Sequence, residues 1–161
     1  DSRVERMTDM AAEAQVEAQA HDINDGVDRG EGILSVRGSG TWRGWNNIRY
    51  KTGLSAKNVG AKSLSMNVAT VPPGGIAYAH IHVGFEVMLY ILHGRVRHIF
   101  GPDLMYSMDN EEGDFIFIEP GVPHEVYNLS DTEPVVAVVA RSDASEWENI
   151  VDYPSPTRPP T

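Results

Sequence analysis

From Ile33 onward the chain is a succession of short runs of β-forming residues punctuated by glycine, asparagine and proline. The runs are Ile33–Arg37, Ala61–Val71, Phe85–Leu92, Val96–Phe100, Phe115–Ile118, His124–Asn128 and Val135–Ala140. β-Branched and aromatic side chains suit a pleated, half-buried surface, and the residues between the runs set turns. Runs of this length and spacing predict an all-β fold, an antiparallel barrel or jelly roll. A parallel sheet would need a helix between successive strands, and no helical pattern of convincing length lies among these runs. With 161 residues and no internal repeat, the chain has room for one barrel and not for a fused pair.

The two ends read differently from the middle. Ser2 to Ala20 is rich in Ala, Glu, Gln and Met, with Val4, Met7, Ala11, Ala14 and Ala18 spaced by three and four, which predicts a weakly apolar helix. His21 falls at its end, and Asn24-Asp25-Gly26 breaks it. The proline-rich stretch from Tyr153 to the C-terminus predicts an extended arm on the surface or on a neighbouring subunit. The expected organisation is therefore a helix and linker over 1–32, a barrel over 33–152, and an arm over 153–161. The glycines and asparagines of Gly40–Asn47 read as a loop, in which Trp42 and Trp45 cap the barrel mouth or pack on the outer sheet.

Thirteen Lys and Arg against 23 Asp and Glu leave a formal charge of −10, which argues against nucleic acid and anionic membrane surfaces as partners. The absence of cysteine removes disulfides, thiolate metal sites and a cysteine nucleophile, so any metal must be held by histidine and carboxylate. No apolar run approaches the ~20 residues that span a bilayer, and no basic-then-apolar leader opens the sequence. A cytoplasmic protein with a small-molecule ligand is the expectation.

The chemistry concentrates between Gly74 and Gly94. There, His80, His82 and Glu86 share one parity, and an uninterrupted strand would turn all three toward one face. Farther on, Gly113-Asp114 precedes the apolar run Phe115–Ile118, then Pro120-Gly121, His124 and Asn128. These two stretches, 18 residues apart, resemble the paired motifs of the cupin superfamily. Two departures stand out. Seven residues separate Glu86 from Gly94 where the family usually has six, which points to a bulge near Leu92-His93, and Glu119 stands where a proline is usual.

The resemblance implies a double-stranded β-helix in which His80, His82, Glu86 and His124 hold one divalent metal, with Fe(II) favoured and Mn, Ni, Zn or Co possible. Imidazole and carboxylate suit those ions independently of the family. It also implies a homodimer and a metal-dependent dioxygenase acting on a small aromatic or oxygenated substrate. A non-oxidative isomerase, lyase or decarboxylase is the alternative, and a non-catalytic small-molecule-binding cupin is a third.

Candidate catalytic groups beyond the ligands are His98 and Tyr78. His98 shares its parity with Val96 and Phe100 and either lines the barrel or faces solvent; turned inward, it could move protons. Tyr78 precedes His80 by two and would share its face, either donating a phenol to a substrate oxygen or filling space. Met66, Met88, Phe115 and Phe117 are expected to supply apolar lining.

Overall fold

The computed structural model describes residues 26–37, 40–43 and 47–159, with only the backbone of 40–43. The helix expected over Ser2–Ala20, His21 and Trp45 lie outside these residues. Contacts divide the chain into two units, one ending at Gly38 and one beginning at Ser39. In the first, strands β1 (Val27–Arg29) and β2 (Leu34–Val36) form an antiparallel hairpin.

Among the described residues, the second unit holds eleven strands in two sheets. They are β3 (Gly40–Arg43), β4 (Ile48–Leu54), β5 (Ser65–Val71), β6 (Ile76–His82), β7 (Val87–His93), β8 (Arg95–Phe100), β9 (Tyr106–Glu111), β10 (Phe115–Ile118), β11 (His124–Asn128), β12 (Val135–Arg141) and β13 (Ile150–Asp152). One short helix, α1 (Ala56–Val59), is closed at its start by a Ser55/Asn58 capping box and ended by Gly60 in the left-handed region. One sheet runs β10-β7-β12-β5-β4-β3, the other β13-β6-β11-β8-β9. Sequentially distant strands lie side by side, as a jelly roll requires.

Alternation along the central strands fills the space between the sheets. In β12, Val135, Ala137, Val139 and Arg141 are buried while their neighbours are half-buried. Ile48, Tyr50, Val71, Ala77, Ile91 and Val96 complete one cluster, and Phe85, Val87, Ile118 and Val139 form a second beside it. Two expectations fail here. Gly40–Arg43 is not loop but strand, paired with β4 from Gly40↔Lys51 to Arg43↔Ile48, because ladder hydrogen bonds override turn composition at a sheet edge. Met66, Met88 and Phe115 do not line the interior: they are exposed by 46%, 57% and 81% on the outside of the six-stranded sheet.

The proline-rich arm lies against its own barrel. Tyr153 N–H donates to Ala79 O at 3.0 Å, and the Arg158 guanidinium donates to the same carbonyl at 2.6 Å. Thr157 Oγ1 donates to Glu125 at 2.6 Å, and Tyr127 OH donates to the same carboxylate. Glu125, 1% exposed on the outer side of β11, also accepts from Ala79 N–H at 3.1 Å. A carboxylate can be buried at that depth only because several donors converge on it.

Candidate metal centre

Strands β6 and β11 are adjacent and antiparallel, and their register sets His80 directly opposite His124. His82 follows two residues along β6, on the same face. The three imidazoles meet between the sheets, with ring centroids 4.3 Å (His80–His124), 4.6 Å (His82–His124) and 5.0 Å (His80–His82) apart. One ring nitrogen from each lies within 4.8 Å of the others. All three are buried.

Two of the rings are held by backbone carbonyls. His80 Nδ1 lies 2.8 Å from Tyr78 O, and His124 Nδ1 lies 2.9 Å from Val122 O. A carbonyl oxygen only accepts, so each Nδ1 carries the hydrogen and each Nε2 keeps its lone pair. His82 instead stacks on Phe85, with centroids 5.0 Å apart and planes 30° apart. Burial removes the rings from water and so disfavours their charged forms. His80 is pushed down to about 4 and His124 to about 3, chiefly by burial, and His82 is lowered by burial and by the neighbouring imidazoles. At neutral pH these are neutral nitrogen donors, the form in which imidazole ligates a divalent ion. His82 Nδ1 has no hydrogen-bond partner despite its burial. The donor set fits a metal.

Glu86 does not join them. The strand ends at His82, Gly84 turns the chain with φ of 78°, and the parity of β6 is not carried across the turn. Phe85 and Val87 take the inward positions and Glu86 is exposed, its backbone tied to Ser142 at 2.9 and 3.1 Å. The anticipated bulge is present, at Leu92: Val136 pairs with His93 and Ala137 with Ile91. It lies beyond Glu86 and leaves the inward set Val87, Leu89 and Ile91 unchanged.

Tyr78 does not share the face of His80 either. The β6–β11 register steps from His80↔His124 to Ala77↔Val126, so one extra residue intervenes and Ala77, not Tyr78, faces the interior. The Tyr78 ring lies 5.4 Å beneath the Arg158 guanidinium. Its carbonyl, holding His80, is what the site uses.

His98, on β8, does turn inward. It is 6% exposed, its ring is 6.4 Å from that of His124, and neither of its nitrogens has a hydrogen-bond partner. Burial pushes it down to about 3. His98 and His124 line two cavities. One, of about 70 Å³, contains the three histidines, Val87 and Arg141. The other, of about 280 Å³, is walled by Phe100, Met108, Phe117 and Val122, with Glu119. Arg141 was not anticipated from sequence. Its signal was there, since it continues the inward parity of Val135, Ala137 and Val139.

Comparison with known proteins adds the family. Residues 67–141 match the cupin domain family. None of the curated proteins matches the chain. Among solved structures, an oxalate decarboxylase from Lactobacillus farciminis in complex with formate superposes with a TM-score of 0.59 at 17% identity, over 71% of this chain and 33% of that one. The oxalate decarboxylase of Bacillus subtilis, with Mn(II) centres, gives 0.56 at 22% identity, over 66% of this chain and 28% of that one. Peruvianin-I, a cysteine peptidase from Thevetia peruviana latex, gives 0.56 at 18%, over 66% and 68%. The chain thus spans about a third of the length of the first of these. At such identities the likeness is one of fold, and the peptidase illustrates the point, because this chain has no cysteine.

Proposed function

The barrel of this chain belongs to the cupin family, and on that premise we propose that it is a metal-dependent enzyme whose His80, His82 and His124 hold one divalent ion. The observation that carries this reading is the convergence of three buried, neutral imidazoles, two of them fixed through Nδ1 by carbonyls. Three neutral ligands leave the charge of the ion uncompensated and leave coordination positions for substrate. Glu86 has no part in the site as proposed.

The reaction we favour is Fe(II)-dependent dioxygenation of a small oxygenated substrate. A bound metal would supply the Lewis acidity and, if it is iron, the redox chemistry. The chain's own residues do the rest. Val87, Leu89, Ile91, Ile118 and Val139 give the chamber an apolar wall. His98 stands neutral on the inner face, one nitrogen carrying a hydrogen to donate and the other able to accept. Burial, with the neighbouring His124, keeps its basicity low, and an anionic group beside it would raise it. His98 is therefore placed to hold, and on anion binding to receive, a substrate proton.

The second reading is non-oxidative, a decarboxylase or related lyase. It is favoured by the size of the chamber, about 70 Å³, against about 150 Å³ for a cavity that takes benzene. The oxalate decarboxylases of like fold, one with formate and one with Mn(II), make it the alternative to test first. Oxygen consumption by Fe(II)-loaded protein across small keto and hydroxy acids supports the first reading. Anaerobic release of CO₂ by Mn(II)-loaded protein, with no oxygen uptake, would replace it with the second. For oligomeric state, the exposed Met88, Phe115 and Phe117 and the half-buried Tyr90 on β7 and β10 offer an apolar face for a second copy.

A further inference from the structure

Arg141 is the one residue with a permanent charge among those lining the three-histidine chamber, and no carboxylate lines it among the described residues. The side chain is 4% exposed. It lies directly across the ladder from Val87, on the same inward face. Its guanidinium donates to Asn67 Oδ1 at 3.1 Å, and Asn67 in turn donates to Glu146 at 3.2 Å, outside the chamber. Trp147 and Tyr50 flank it, with ring centroids 5.0 and 5.9 Å from the guanidinium carbon. These aromatic faces and the Asn67 contact fix a planar fork whose geometry matches a carboxylate.

The charge balance points one way. A divalent ion held by three neutral imidazoles brings +2 into an apolar chamber that a guanidinium also lines. Such a concentration is costly unless an anion joins it. The exclusion of Glu86 means the chain does not furnish that anion from the position the sequence pattern suggested. The small chamber sets the size of what can.

We propose that Arg141 is the anion-recognising residue of this chamber, and that the substrate is a compact carboxylate held between the guanidinium and the three-histidine centre. This deepens the function proposed above and rests on it. Arg141 orients and charge-matches the ligand; the histidines hold the ion. A neutral molecule of the same shape forfeits both attractions.

The test uses the full chain loaded with Mn(II), its metal content fixed by elemental analysis before any ligand is added. Titration calorimetry with oxalate and with its neutral analogue oxamide, followed in parallel by tryptophan fluorescence through Trp147, gives the two affinities. Oxalate is expected to bind at least about tenfold tighter than oxamide. Arg141→Met is expected to keep the metal and to weaken oxalate by roughly thirtyfold or more, and Arg141→Lys to fall between. Equal binding of oxalate and oxamide by the wild type overturns the proposal whether or not Arg141→Met folds. Undiminished oxalate binding by a folded, metal-loaded Arg141→Met overturns it as well. A wild type that takes up no metal overturns the three-histidine reading itself, and this inference with it.

Discussion

At the scale of single residues, the site depends on which of four suspected ligands face inward. His80→Ala or His124→Ala should reduce metal uptake to well below one ion per chain while leaving a folded barrel, as elemental analysis and circular dichroism together would report. Glu86→Gln should leave metal content unchanged, since that side chain is exposed; a loss of metal would restore Glu86 to the ligand set. The buried histidines also carry a pH signature. Their folded-state values lie well below the ordinary value of 6.5, so the unfolded chain binds more protons across the gap. The stability they permit is complete above 6.5 and is lost as pH falls from there toward 4 and 3. Metal-free protein should therefore lose up to about 1.4 kcal/mol per pH unit for each such histidine in urea titrations below pH 6.5. A flat profile from pH 6.5 to 4.5 would contradict their burial.

At the scale of elements, backbone geometry decides more than composition. A Cβ at Gly53 would sit 1.9 Å from Met66 O, at the irregular stretch of the β4–β5 ladder between Lys51 and Leu54. Gly53→Ala should therefore force these strands apart and lower the thermal midpoint by several degrees, whereas Gly60→Ala, with open space around it, should cost only the strain of its left-handed backbone, φ 67°. Ile91, 1% exposed at the centre of β7, should cost about 2–5 kcal/mol on truncation to alanine, measured by chemical denaturation. Three of the strands that sequence reading missed share a physical cause. β3, β9 and β13 lie at sheet edges, and all but one residue of Tyr106–Glu111 is exposed, so no apolar alternation marks them. β4 was missed as well, although it is an inner strand whose Ile48 and Tyr50 are buried while Arg49 and Lys51 are exposed, because Asn47 before it and Gly53 within it read as breaks. Parity arguments worked within unbroken strands, bringing His80 and His82 together and predicting an inward option for His98. They failed across the Gly84 turn, which released Glu86, and across the β6 bulge, which turned Tyr78 away. Neither irregularity is written in residue type alone.

At the scale of the molecule, the jelly roll places its chemistry between two sheets and its covering elements outside. The arm after β13 closes over Glu125, whose burial alone would raise its pKa. Hydrogen bonds from Ser155, Thr157, Tyr127 and Ala79 outweigh that and hold it below the ordinary carboxylate value. Thr157→Val removes one of those donors and should cost about 1–2 kcal/mol at neutral pH, read as a lower denaturation midpoint, with metal content unchanged. The apolar face of Met88, Tyr90, Phe115 and Phe117 predicts a dimer in light scattering, and Phe115→Glu should shift it to monomer. The central claim remains the three-histidine centre. Its most direct test is an anomalous difference map collected at the absorption edge of the metal that co-purifies. A single peak bonded to the Nε2 atoms of His80 and His124 and to a ring nitrogen of His82 is expected, with Glu86 pointing away. A peak that includes Glu86 among its ligands, or no peak between these rings, would contradict it.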